Sequence, residues 1–86
     1  SFSLGPAYPN PFNPLTRIQF TVPEMTEVNL SVYDLKGKLM DKLVNKTFEP
    51  GTYVQNWDAQ FVSSGVYFLV MEAGTYSSSQ KLILMK

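Results

Sequence analysis

Arg17-Ile18-Gln19-Phe20-Thr21-Val22-Pro23 and, after a short break, Val28-Asn29-Leu30-Ser31-Val32-Tyr33-Asp34-Leu35-Lys36-Gly37 decide the fold class of this chain. In the first run Ile18, Phe20 and Val22 alternate with Arg17, Gln19 and Thr21, the period of a half-buried strand. Pro23 ends it, because proline has no N–H for a ladder. The second run alternates again, with Val28, Leu30 and Val32 inward and Asn29, Ser31 and Tyr33 outward. Asp34 and Gly37 then stand at the first and fourth positions of a type I turn that closes a hairpin. Together the two inward faces supply half of a sandwich core.

The rest of the chain extends this pattern. Lys38–Val44 is the return strand; its apolar Leu39, Met40, Leu43 and Val44 do not alternate. A helix turn is one reading, and a bulged edge strand fits the hairpin better. Glu49-Pro50-Gly51-Thr52 has the residue order of a type II turn. Thr52–Trp57 is a strand with Tyr53, Gln55 and Trp57 on one face, and Asp58–Ser64 is a loop. Val66–Ala73 is apolar on both faces, so it is a central strand or carries a docking patch. Gly74 marks a hairpin into the last strand, Tyr76–Met85. Turn signals recur about every ten residues with no helical spacing, which predicts an all-β sandwich. The expected organisation is a proline-rich lead-in over residues 1–14, anchored by Tyr8 and Phe12, and one sandwich over residues 15–86.

Eighty-six residues make one small domain. Apolar residues form 44% of the chain, a globular composition. Net charge is zero and the charges are scattered, so no basic stripe exists for nucleic acid. No stretch approaches the ~20 apolar residues of a membrane-spanning helix. Cysteine is absent, so sheet packing must replace the disulfides that small exported domains often use. The chain starts at Ser1 without a Met or a basic-then-apolar leader, and is expected to be a piece of a longer protein.

No residue set suits catalysis. Histidine and cysteine are both missing, which removes the Ser-His-Asp and Cys-His constellations and the common zinc ligands. The carboxylates sit in turns or on solvent faces, and Asp58 with Ser63 and Ser64 is the nearest approach to a calcium loop. The glycines are single, so no phosphate cradle is present. No cofactor is expected. Trp57 and Tyr53 on one strand face are either the start of a sugar-binding platform or, the preferred reading, a Trp plugging the core. Pro11-Phe12-Asn13-Pro14 has polyproline-ligand spacing, but reads better as an ordered lead-in whose prolines limit unfolded-state entropy.

The chain resembles the type A C-terminal sorting domains of the bacterial type IX secretion system, and is similar to the related immunoglobulin-like domain of flagellar hook-capping proteins. Tyr8-Pro9-Asn10-Pro11-Phe12-Asn13-Pro14, then Thr16, Ile18, Phe20 and Pro23, matches the family opening. Val28, Leu30, Val32-Tyr33-Asp34, Gly37, Gly51, Trp57-Asp58, Ser64-Gly65-Val66-Tyr67-Phe68, Lys81-Leu82 and Lys86 match the remainder. Ala59, where the hook-capping relatives carry Gly, and a short loop ending at Ser63-Ser64 favour the sorting family.

The resemblance implies an immunoglobulin-like β-sandwich of about seven antiparallel strands. It implies a non-catalytic C-terminal module, carried behind catalytic or adhesive domains in Bacteroidetes and relatives. The expected partner is the outer-membrane export machinery, and the expected destination is the medium or the cell surface by way of the periplasm. Lys81, Leu82, Ile83, Leu84, Met85 and Lys86 are the expected recognition residues. Pro9, Asn10, Pro11, Phe12, Asn13 and Pro14 are expected to shape the lead-in loop, and Gly65, Val66, Tyr67 and Trp57 to bear the fold. A carbohydrate-binding or structural accessory module is the alternative. Whether the domain dimerises through the apolar outer face of Val66–Ala73 is left open by the sequence.

Overall fold

The computed structural model describes residues 1–86 as seven strands with no helix. These are β1 (Ser3–Leu4), β2 (Leu15–Val22), β3 (Thr26–Asp34), β4 (Leu39–Phe48), β5 (Gly51–Asp58), β6 (Gly65–Ala73) and β7 (Tyr76–Leu84). They form two antiparallel sheets, one ordered β1-β2-β5 and the other β4-β3-β6-β7. The two sheets face each other in an immunoglobulin-like sandwich.

The core follows from the pleat, which sends alternate side chains to opposite faces. Ile18, Phe20 and Val22 of β2 meet Val28, Leu30 and Val32 of β3, all at most 1% exposed. Leu69, Met71 and Ala73 of β6 and Leu82 and Leu84 of β7 complete the layer. Burying each large aliphatic or aromatic side chain stabilises the fold by roughly 1.5–3 kcal/mol. At one end Phe20, Phe48 and Tyr53 form an aromatic cluster with centroids 4.6–5.6 Å apart. At the other, Trp57 lies 5.5 Å from Phe12 and 5.9 Å from Tyr67.

β6 is central, between β3 and β7, which accounts for its two apolar faces. Tyr67, Leu69 and Met71 are buried inward, while Val66, Phe68 and Val70 are half-buried on the outer face. β4 is an edge strand whose register shifts twice, at Leu30/Ser31 and at Val32/Tyr33. That irregularity broke the alternation of Leu39, Met40, Leu43 and Val44. The strand runs four residues past Val44, through Asn45-Lys46-Thr47-Phe48, since an edge tolerates polar side chains.

The Asp34–Gly37 turn forms as its sequence demands. The Gly37 amide donates to the Asp34 carbonyl at 3.0 Å, and Asp34 Oδ1 accepts the Lys36 and Lys38 amides. Gly37 has φ +84°, a conformation that penalises any Cβ. Gly74, at φ +60°, opens the two-residue β6–β7 hairpin with Thr75 second, the type II′ arrangement.

Two local expectations are corrected, those for Pro50-Gly51 and Tyr8, and that for Ser31 is refined. Glu49-Pro50-Gly51-Thr52 is not a type II turn, because Gly51 has φ +156° and not the required value near +80°. The segment instead carries the chain from β4 in one sheet to β5 in the other, with the Tyr53 hydroxyl donating to the Glu49 carbonyl at 2.6 Å. Ser31 is on the outer face but only 3% exposed, since Val70 and Lys42 flank it on the neighbouring strands. Its hydroxyl donates to Asn29 Oδ1, so the buried polar group is satisfied. Tyr8 does not anchor the lead-in by its ring, which is 78% exposed. Its backbone does so, exchanging two hydrogen bonds of 2.9 Å with Arg17.

Phe20→Ala is expected to destabilise the fold by about 3–5 kcal/mol in urea unfolding, the usual cost of an emptied aromatic site. Val54→Ala, on the half-exposed face of β5, is expected to cost about 0.5 kcal/mol or less.

Candidate functional site

The tail strand β7 divides its side chains sharply. Leu82 and Leu84 point into the core and are 0% and 1% exposed. Lys81, Met85 and Lys86 are exposed, and Ile83 is half-buried on the outer face. So the question of which face is buried, open in the sequence, is answered by the side on which β7 meets the other sheet.

The outer backbone edge of this strand is taken. An edge strand with unpaired N–H and C=O groups is a natural docking template, but here the lead-in loop covers it. Asn10 Nδ2 donates to the Lys81 carbonyl, and the Ile83 amide donates to Asn10 Oδ1, both at 2.9 Å. The Phe12 amide then donates to the Ile83 carbonyl, and the Met85 amide to the Phe12 carbonyl. One asparagine side chain imitates a strand's backbone, and the loop continues as a short parallel pairing of Phe12 with Leu84. The Phe12 ring, 2% exposed, pins the loop into the core beside Trp57.

The other lead-in residues support this clasp. The Pro9 carbonyl accepts the buried Thr16 hydroxyl at 2.8 Å, and the Pro14 carbonyl accepts the Ala59 amide at 2.9 Å. Pro11 and Asn13 are exposed. Further up, Gln80 ties β7 to the segment after β1: its Oε1 accepts the Ala7 amide and its Nε2 donates to the Gly5 carbonyl. Gly5 approaches β2 so closely that an added Cβ would meet the Gln19 carbonyl at 3.1 Å. Sequence reasoning missed Gln80, because one glutamine in a polar run carries no signal until its partners are placed.

Gly65, Val66 and Tyr67 open β6 directly beside the tail, with Gly65 opposite Leu84 and Val66 opposite Ile83. The Tyr67 hydroxyl donates to the Ser63 carbonyl at 2.6 Å, which shapes the loop before β6. Burial first, and the nearby Asp34 carboxylate second, push this phenol above its usual value of 10.0. The same loop holds the last residue. Lys86 donates its amide to Ser64 Oγ at 3.0 Å and its ammonium to the Gln60 carbonyl at 2.6 Å.

Trp57 is 2% exposed and its Nε1 donates to Asp41 Oδ2 at 3.1 Å. It presents no ring face to a sugar. Where the sandwich stays open, between the edges of β4 and β5, a groove of about 440 Å³ is lined chiefly by Leu43, Val44, Phe48, Tyr53 and Val54.

Residues 6–85 match the family model of the secretion system C-terminal sorting domain. The chain belongs to that family. The match spans both the lead-in loop and the tail it clasps, the two segments that meet along β7. No curated protein matches the chain, and no solved structure does. As a type IX sorting domain, it directs export across the outer membrane.

Two outcomes test the clasp. Asn10→Ala removes both side-chain bonds to the tail, so amide exchange at Ile83 is expected to accelerate while Leu30 in β3 stays protected. The stability loss is expected to be about 1–2 kcal/mol in chemical unfolding. Tyr67 has the opposite pH signature to a paired carboxylate. Its folded pKa is raised, so its contribution is fully present below pH 10 and is lost as pH climbs through the folded value. Thermal unfolding is expected to show a falling midpoint above that pH, and Tyr67→Phe is expected to reduce the slope.

Proposed function

We propose that this sorting domain is a non-catalytic signal, read through the outward side chains of its tail, Lys81, Ile83, Met85 and Lys86. Leu82 and Leu84 belong to the same segment in a different role. They fix the tail to the sandwich so that its neighbours are presented in one geometry. The observation that carries this reading is the clasp from Asn10 and Phe12, which leaves side chains, and not backbone, as the readable part of Lys81–Met85. The prolines of Pro9–Pro14 shape that clasp, so residues 1–14 act with residues 15–86 as one signal.

The partner is the outer-membrane type IX machinery, acting on catalytic or adhesive domains that precede this one. Delivery ends at the cell surface or in the medium. The absence of histidine and cysteine supports a non-catalytic role, because it removes the Ser-His-Asp and Cys-His constellations. Burial of Trp57 weighs against the carbohydrate-binding alternative.

The test is export of a periplasm-directed fluorescent protein fused to Ser1–Lys86, in a host with the type IX system. Deleting the tail would remove Leu82 and Leu84 from the core, so export and folding would fail together. Lys81→Ala combined with Ile83→Ala and Met85→Ala keeps both leucines. This triple variant is expected to keep a cooperative unfolding transition and to lower surface and medium fluorescence about tenfold or more. A folded triple variant exported like the original would sink the tail-reading proposal.

A further inference from the structure

The two sheets are unequal. The β4-β3-β6-β7 sheet has four strands, and the β1-β2-β5 sheet has three, one of them only two residues long. The shortfall lies beside β5. Val44, Lys46 and Phe48 of β4 pair with Leu30, Val28 and Thr26, so all three stand on the inner face of their sheet. Val44 is buried, yet Phe48 is only half-buried and Lys46 is exposed. The smaller sheet therefore leaves that end of β4 partly uncovered. The space it leaves is the groove of about 440 Å³ between β4 and β5, with Leu43, Phe48 and Tyr53 on its walls.

The strand edges point to the same place. β7 is held by the lead-in loop, β4 is bulged, and β1 is too short to template a strand. β5 runs eight residues against β2 without a register shift. Its stretch Thr52-Tyr53-Val54-Gln55-Asn56-Trp57 holds no charge and no proline, the devices that commonly close an edge. The direction of its backbone groups follows from β2. Arg17 exchanges two bonds with Tyr8, and the Gln19 carbonyl accepts the Gly5 amide, so these residues face the lead-in. Ile18 and Phe20 therefore turn their backbone groups toward Gln55 and Tyr53. On β5 the alternation then directs the N–H and C=O of Thr52, Val54 and Asn56 away from β2, to the open side. One of these groups is taken, since the Asn56 carbonyl accepts Gln55 Nε2 at 2.9 Å. The open template is Thr52 and Val54, short enough to be selective.

We propose that the β5 edge receives an extended segment of a partner protein, which adds a fourth strand to the smaller sheet and fills the groove. Its backbone pairs with Thr52 and Val54, and its side chains supply the selectivity. Residues opposite Tyr53 and Gln55 share their face, so two side chains at i and i+2 enter the groove against Leu43 and Phe48. The ligand is thus a strand with apolar residues at alternate positions. A second copy of this chain does not fit that pattern. Its own β5 would bring Tyr53 and Trp57 on the groove side, and these are committed to that copy's sandwich, Tyr53 against Phe20 and Trp57 in the core. The groove would stay empty. The surface is separate from the tail, because β4 and β7 are opposite edges of the larger sheet, so the inference does not rest on the sorting reading.

Two displayed libraries of short peptides test this on immobilised Ser1–Lys86. One carries apolar residues at every second position; the other has the same composition in shuffled order. Alternating sequences are expected to be enriched over shuffled ones. With a selected peptide bound, amide exchange at Thr52 and Val54 is expected to slow. Val54→Pro removes an N–H aimed away from β2 and none that pairs with it, a position where an edge strand tolerates proline. The selected peptides are expected to bind this variant about tenfold or more weakly than the original. The exchange measurement uses the original domain, so it decides the matter even if Val54→Pro fails to fold. No enrichment of alternating over shuffled peptides would overturn the proposal, as would selected peptides that bind without slowing exchange at Thr52 and Val54. A domain that sediments as a dimer with those two amides protected would assign the edge to self-association and overturn it as well.

Discussion

The structure depends on one contact made by residues far apart in the chain, the seating of Asn10 and Phe12 along Lys81–Met85. Four hydrogen bonds and one buried ring join the first turn of backbone to the last strand. The loop they close spans some seventy residues, and its closure entropy is met by core contacts that only the finished sandwich supplies. Without the clasp, β7 would pair with β6 alone and expose its outer edge to water and to other strands.

That arrangement explains how a short chain without disulfides manages its edges. On one side the lead-in loop covers the edge of β7 and Gln80 extends the seal toward Gly5 and Ala7. On the other, β4 is bulged and carries Lys42 and Lys46, features that discourage strand addition. The Lys46 ammonium also lies 5.0 Å from the Phe48 ring, covering part of the aromatic cluster. A sorting signal passes through crowded compartments before export, and an edge that pairs with anything would defeat its specificity. The clasp hides the backbone of the tail, which any strand can match, and leaves its outward side chains accessible.

Much of the fold was readable from alternation. Ile18, Phe20 and Val22, and then Val28, Leu30 and Val32, announced their inward faces because each strand has one wet side and one dry side. The doubly apolar Val66–Ala73 left a central strand and a docking patch as alternatives, and the sheet order places it centrally. The irregular Leu39–Val44 run was harder, because a bulge shifts the phase of the alternation, and its true extent to Phe48 is polar. The Pro50-Gly51 segment misled, since the same residue pair suits a hairpin turn and a crossing between sheets. The choice between them depends on where the next strand lies. Phe12 was readable as an anchor, but Tyr8 was not distinguishable from it, because both are aromatics among prolines and only packing separates them.

The sequence by itself determined most of the strands, the Asp34–Gly37 turn and the type of core, because periodicity and turn chemistry are local properties. It also carried the family, whose opening and tail motifs stand at its two ends. The tertiary structure alone decided which tail residues face outward and that Asn10 stands in for a neighbouring strand. Those facts depend on the register between strands and on the stacking of two sheets. No residue encodes them singly; they arise when segments seventy positions apart are brought within hydrogen-bonding distance.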